Sequence, residues 1–149
     1  MKRYDKLHIA DEMLDSAIEE FLDNRRFFAA LNMAGVAQEL YGKAIRIENG
    51  QDTITKIANE SFEIYKKNRS SDSTLKEFKE ISSHAKNGIK HFDTANDQHI
   101  EIDPNKEARL MIAVALNDKA QLERPESNWD KRFKEFATIY NWYHIENMN

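Results

Sequence analysis

The run Phe27-Phe28-Ala29-Ala30-Leu31-Asn32-Met33-Ala34-Gly35-Val36-Ala37-Gln38-Glu39-Leu40-Tyr41-Gly42 decides the fold. Only Asn32, Gln38 and Glu39 among these sixteen residues are strongly polar. A helix at the surface keeps one polar face, so a helix that is apolar on nearly every side belongs at the centre. The run therefore predicts a buried central helix from about Arg25 to Ile47. Ala34, Gly35 and Ala37 are small and let a neighbouring helix approach closely. Asn49-Gly50 then stops the helix through a left-handed residue.

Working outward, Leu7, Ala10, Leu14, Ala17, Ile18 and Phe21 recur at helical spacing and predict a first helix from about Lys6 to Leu22, closed by a break at Asp23-Asn24. A third helix is expected from about Asp52 to Lys67, with Ile54, Ile57, Ala58, Phe62 and Tyr65 inward. After a loop at Asn68-Arg69-Ser70-Ser71-Asp72, Ser73 with Lys76-Glu77 reads as the start of a fourth helix. That helix runs to about Phe92 on a stripe of Leu75, Phe78, Ile81, Ala85, Ile89 and Phe92. Asp93 to Pro104 is irregular, and the alternation His99-Ile100-Glu101-Ile102 reads as extended chain too short for a sheet. Asp103-Pro104 is a cap and first-turn pair opening a fifth helix to about Leu122. Beyond a break at Arg124-Pro125-Glu126-Ser127, Trp129, Phe133, Phe136, Tyr140 and Tyr143 predict a sixth helix from Asn128 to about Ile145. The expected architecture is all-α, a five- to six-helix up-down bundle formed by residues 1–149 as one domain.

Composition agrees with long helices. The 149 residues include four Gly and two Pro, too few for the turns of an all-β sandwich, and 40% hydrophobic with 32% charged residues is a globular balance. There is no cysteine, which excludes disulfides, thiolate metal sites and cysteine nucleophiles. No stretch approaches the roughly 18–20 apolar residues that span a bilayer, and Met1-Lys2-Arg3-Tyr4-Asp5-Lys6 lacks an apolar signal core. A cytoplasmic protein with no membrane partner is expected. The net charge of −4 speaks against a general DNA-binding surface. Charge is uneven, however: Lys66 to Phe92 holds seven basic and three acidic residues, leaving −8 elsewhere. A local basic edge can face an anion while the remainder repels it, although a lysine-rich solvated face reads the same way.

The chemistry-bearing stretch is His84-Ala85-Lys86-Asn87-Gly88-Ile89-Lys90-His91. On a regular helix His84 and His91 stand about 20° apart and Asn87 about 40° from His91, so the three share one strip. Gly88 beside them predicts an open notch. Lys79, Lys86 and Lys90 form a second strip on the other flank. Imidazoles suit proton transfer near neutral pH, and a cation stabilises charge developing on a phosphate. The same residues also fit a helix-end histidine settled by exposed carbonyl dipoles, with His84 at the surface. Glu39, a carboxylate in so apolar a helix, must be paired or carry a raised pKa. Lys43 one turn on is the nearest partner, or else Gln38 or Glu39 reaches across to the Asn87/His91 region.

The N-terminal amphipathic helix, the Ala-rich second helix Phe27-Phe28-Ala29-Ala30-Leu31-Asn32-Met33-Ala34-Gly35 and the late Lys86-Asn87-Gly88-Ile89-Lys90-His91 together resemble the HEPN superfamily, including small bacterial HEPN-like proteins without assigned activity. The resemblance in helix order covers roughly Leu7 to Phe136. It implies a homodimer and, in active members, a metal-independent RNase with an arginine, a polar residue and a histidine four to six residues past the arginine. Asn87 then takes the polar position, His91 that of the histidine, and Lys86 stands where the arginine would be. Lysine lacks the planar bidentate grip of guanidinium on phosphate. Lys86 and His91 also lie about 140° apart on a regular helix.

The expected function is therefore a binding or regulatory module for a protein or nucleotide-bearing ligand, with His84, Lys90, Lys79 and Glu39 around the edge. The alternative is an RNase with His91, Asn87 and Lys86 as its catalytic set, working as part of a toxin–antitoxin-type pair. No cofactor and no metal are expected, since Glu-x-x-His is absent and the i,i+4 pairs His8/Glu12 and Glu80/His84 are of a kind that arises readily by chance. P-loop, dinucleotide and nucleophile-elbow patterns are absent too. Tyr140, Trp142 and Tyr143 point to self-association.

Overall fold

A computed structural model describes residues 1–68, 74–91 and 98–139. Among them the chain is helical throughout, with no strand, and the helices pack as a bundle. In order these are α1 (Lys6–Glu19), α2 (Phe27–Ile47), α3 (Thr53–Asn68), α4 (Leu75–Gly88), α5 (Pro104–Gln121) and α6 (Asn128–Ile139).

The central position expected for the second helix is observed. Along α2, Ala30, Leu31, Ala34, Gly35, Ala37, Gln38, Tyr41, Gly42 and Ile45 are buried. It lies against α1 on one side and α5 on the other, with α4 touching it at Gly35. A Cβ at Gly35 would stand 3.4 Å from the Lys86 Cβ, an ordinary van der Waals contact, so the stem of Lys86 lies directly on the helix there. Asn49, at φ 61°, is the left-handed residue of the stop, and the Gly50 amide donates to the Ile45 carbonyl at 2.8 Å.

α1 begins where the Asp5 carboxylate accepts from the Leu7 amide (2.9 Å). The expected break at Asp23-Asn24 is a π-helical turn over Glu20–Asn24, and the chain reverses at Arg25, whose φ is 56°. Phe21, at that turn, meets Phe27, Phe133 and Phe136 with ring centroids 5.4–5.9 Å apart, tying α1, α2 and α6 together.

Caps set the remaining boundaries. α4 is capped by Thr74 in a reciprocal box with Glu77; the Ser73 proposed for that place lies outside the described residues. Asp103 accepts from the Asn105 and Lys106 amides ahead of Pro104, as its sequence implies. Ser127 and Asp130 satisfy one another's backbone amides at the start of α6. The loop at 69–72, the aromatic residues Phe92, Tyr140, Trp142 and Tyr143, and any extension of the sixth helix to Ile145 also fall outside the described residues.

Two inward assignments are corrected. Ile57 and Ile81 face outward, at 42% and 71% exposure. α3 and α4 pair mainly with each other through Phe62, Tyr65 and Phe78. They meet the rest of the bundle along one edge, through Ile54, Ala58 and Ala85. Spacing alone made their stripes too wide. No strand forms at His99–Ile102; instead Ile100 packs on Gly88.

Candidate functional site

Past Gly88 the backbone of α4 makes one more turn, in which the amides of Lys90 and His91 both donate to the Asn87 carbonyl (3.0 and 3.2 Å). This keeps His91 one turn above Asn87 and two above His84. All three line one cleft of about 350 Å³, with Glu80, Gly88, His99 and Ile100 completing its wall. The strip of imidazoles and amide lies exposed along one side of this open cleft. His99 was not singled out in the sequence, because it lies eight positions beyond His91 and shares no helical spacing with it. Only the fold returns it.

The notch expected at Gly88 is not open. A Cβ there would lie 2.2 Å from Ile100 Cδ1, so the isoleucine occupies the space that the glycine leaves. Ile100 and Gly88 form a rib, and on its far side a second, wider groove of about 780 Å³ opens between the start of α2 and the end of α4. His91 lines both.

The expected lysine strip divides. Lys86 does not present its ammonium with Lys79 and Lys90 as a phosphate-facing row. It is 6% exposed, and its Nζ donates to Gln38 Oε1 at 2.8 Å and pairs with Glu39 Oε1 at 3.3 Å. The catalytic role drawn for it is thereby corrected: the cation lies inside the α2–α4 contact and is committed to two partners. The Lys86 stem runs over Gly35 on the way to these partners. Lys90 sits at the border, 3.7 Å from the same Glu39 oxygen, and lines the wider groove. Lys79 is exposed and lines a small recess with Arg46, Ser83 and Thr55, whose inner wall is the Gln38–Glu39–Lys86 contact.

Glu39 is accordingly a paired carboxylate, held by Lys86 and Lys90 across the helix contact with Lys43 contributing at longer range. The helix-to-helix reach expected of Gln38 or Glu39 exists, but it ends on these lysines rather than on Asn87 or His91. Burial alone would push the Glu39 carboxyl up; the lysines outweigh it and hold it below its ordinary 4.5. Burial pushes the Lys86 ammonium below its ordinary 10.5, and Glu39 opposes that only in part.

A carboxyl whose folded pKa lies below its unfolded value stabilises the fold above the unfolded pKa. That contribution is lost as pH falls through the folded one. Asp11 behaves alike: burial raises its pKa, but Arg124 and Tyr41 donate to it and the net shift is downward from 3.8. Thermal stability is therefore expected to fall as pH drops below about 4.5. Glu39→Gln should lower Tm at pH 7 and flatten that fall, as read by circular dichroism melts at pH 7, 4.5 and 3. Equal acid sensitivity in both proteins would contradict the pairing.

Among the described residues no group of three or more His, Asp or Glu is arranged to hold a metal ion, and no helix is long and apolar enough to cross a membrane. No protein-family model, curated protein or solved structure matches the chain. The chemistry of the cleft must therefore carry the functional reading.

Proposed function

We propose that this chain is an HEPN-like binding module, acting as a homodimer, which takes a nucleotide-bearing ligand at the C-terminal edge of α4. The observation that carries this is the convergence of His84, Asn87, His91 and His99 on one cleft beside Lys90. Imidazoles and an amide offer donors and acceptors to a base edge or sugar hydroxyl, while Lys90 supplies positive charge for a phosphate. A cleft of this size fits the range of small-ligand sites, about 300–1,000 Å³. Burial of Lys86 leaves the protein's basic edge narrower than its sequence suggests, which suits a short anionic group better than a long duplex.

The test is fluorescence anisotropy with a mant-labelled adenosine monophosphate. His91→Ala and Asn87→Ala should each weaken binding about tenfold, the loss of one hydrogen bond to a charged or strongly polar partner. Binding that ignores both substitutions would refute the site.

One observation favours a second reading, metal-independent RNA cleavage: several imidazoles in one cleft supply both an acid and a base. One would accept the 2′-hydroxyl proton as that oxygen attacks phosphorus. Another would protonate the departing 5′-oxygen as the P–O5′ bond breaks, leaving a 2′,3′-cyclic phosphate. Lys90, rather than Lys86, is then the cation on the ligand side. Cleavage of an oligoribonucleotide in the presence of a chelator, abolished by His91→Ala, would establish it; activity surviving that substitution would remove His91 from the chemistry.

A further inference from the structure

The two grooves that meet at His91 point to a ligand longer than one nucleotide. We infer that the wider groove is a base-stacking subsite, with Phe28 as its platform, so that the protein binds a single-stranded oligonucleotide of at least two residues across the Gly88–Ile100 rib. This rests on the nucleotide reading of the narrower cleft and extends it.

Phe28 is the unusual residue here. Its neighbour Phe27 packs on Phe21 at 5.4 Å, yet Phe28 is 54% exposed at the start of the most buried helix. About half of this ring is exposed, and it lines the wider, open groove. Asn32, one turn on, lines the same groove, and Lys90 with His91 forms the opposite wall. A flat apolar face, an amide and a cation around one groove match a base, its edge and the phosphate that follows it. The grooves share Gly88, His91 and Ile100, so a chain leaving one enters the other past His91. Each volume separately reaches the size of a small-ligand site. Together they exceed what a mononucleotide fills.

Anisotropy titrations with 5′-fluorescein-labelled tetranucleotides, as RNA and as DNA, set against mant-labelled adenosine monophosphate, decide the matter. The tetranucleotide should bind at least tenfold more tightly than the mononucleotide. Phe28→Ala should cost about tenfold on the tetranucleotide, and Phe28→Trp should restore it, since stacking needs only a flat ring. A stronger RNA arm would assign recognition of the 2′-hydroxyl; equal arms would assign the base and phosphate alone. Mononucleotide binding that depends on His91 but gains nothing from length would overturn this inference and leave the cleft reading intact. No binding of either probe would overturn both. Phe28→Ala that alters the oligomeric state in light scattering, without altering oligonucleotide affinity, would reassign the groove to a protein contact and overturn the inference as well.

Discussion

Asp118→Ala is expected to destabilise the protein by about 3–5 kcal/mol, because several buried donors lose one shared acceptor. Asp118 is fully buried in the last turns of α5. Its Oδ1 accepts from the Thr53 amide (2.7 Å), the Thr53 hydroxyl (2.6 Å) and Gln121 Nε2 (3.2 Å), and its Oδ2 accepts from Gln38 Nε2 (3.3 Å). Removing the carboxylate leaves the Thr53 amide, the Thr53 hydroxyl and Gln38 Nε2 without this acceptor, each worth about 1–3 kcal/mol when stranded, while Gln121 Nε2 keeps the Thr53 hydroxyl oxygen at 3.3 Å. Gln38 also accepts from Lys86, so the loss reaches α4. Asp118→Asn keeps the shape but turns one acceptor into a donor facing Gln38 Nε2. Gln38 cannot relieve this by flipping, because its own oxygen is held by Lys86. A smaller loss, about 1–2 kcal/mol, is expected there. Urea denaturation followed by circular dichroism gives both values, and a loss below 1 kcal/mol for Asp118→Ala would contradict the assignment.

Lys119→Ala should produce a loss of similar size, with Tm falling on the order of 10 °C. Lys119 Nζ meets Asp130 Oδ2 at 2.7 Å, with both side chains at most 4% exposed. The same Oδ2 accepts from the Ser127 amide, whereas Asp130 Oδ1 is buried with no hydrogen-bond partner among the described residues. Asp15 stands nearby, accepting from the Ser127 hydroxyl at 2.6 Å. Burial, with the Asp130 charge adding to it, pushes its carboxyl up despite that bond and Lys119. Without the ammonium, the buried Asp130 carboxylate is left unpaired, with the half-buried Asp15 carboxylate nearby. The double variant Lys119→Met with Asp130→Leu removes charge from both sides and should recover most of the stability. The lost Ser127–Asp130 cap, about 1 kcal/mol, remains as the residue of the change. Melts of the three proteins would decide it; single and double variants of equal stability would show that uncompensated charge is not the cause.

Both networks were hidden from sequence reading for one reason: their members are far apart in the chain. Gln38 and Asp118, or Asp15 and Ser127, meet only because α5 and α6 return to α2 and α1. Nor did the amphipathic pattern of α5 announce them, since its buried set mixes Ala108, Met111, Ile112, Ala115 and Leu116 with Asp118 and Lys119. In the candidate site, the shared strip of His84, Asn87 and His91 follows from helical periodicity alone. His99, Ile100 and the exposed Phe28 do not, because their place depends on how a non-helical segment and the start of α2 come to rest against α4.

Local rules thus determined the all-helical character, the buried centre at α2, the caps at Asp103-Pro104 and Asn49, and the alignment of the histidines, because each depends on residues within a turn or two of one another. Tertiary packing decided which flank of α4 is solvent and which is core. Lys79, Lys86 and Lys90 are equivalent by spacing, yet the Lys86 stem lies against α2, where Gln38 and Glu39 satisfy its charge. A periodic pattern names a face; only the neighbour laid against that face settles whether a charge on it meets water or a partner.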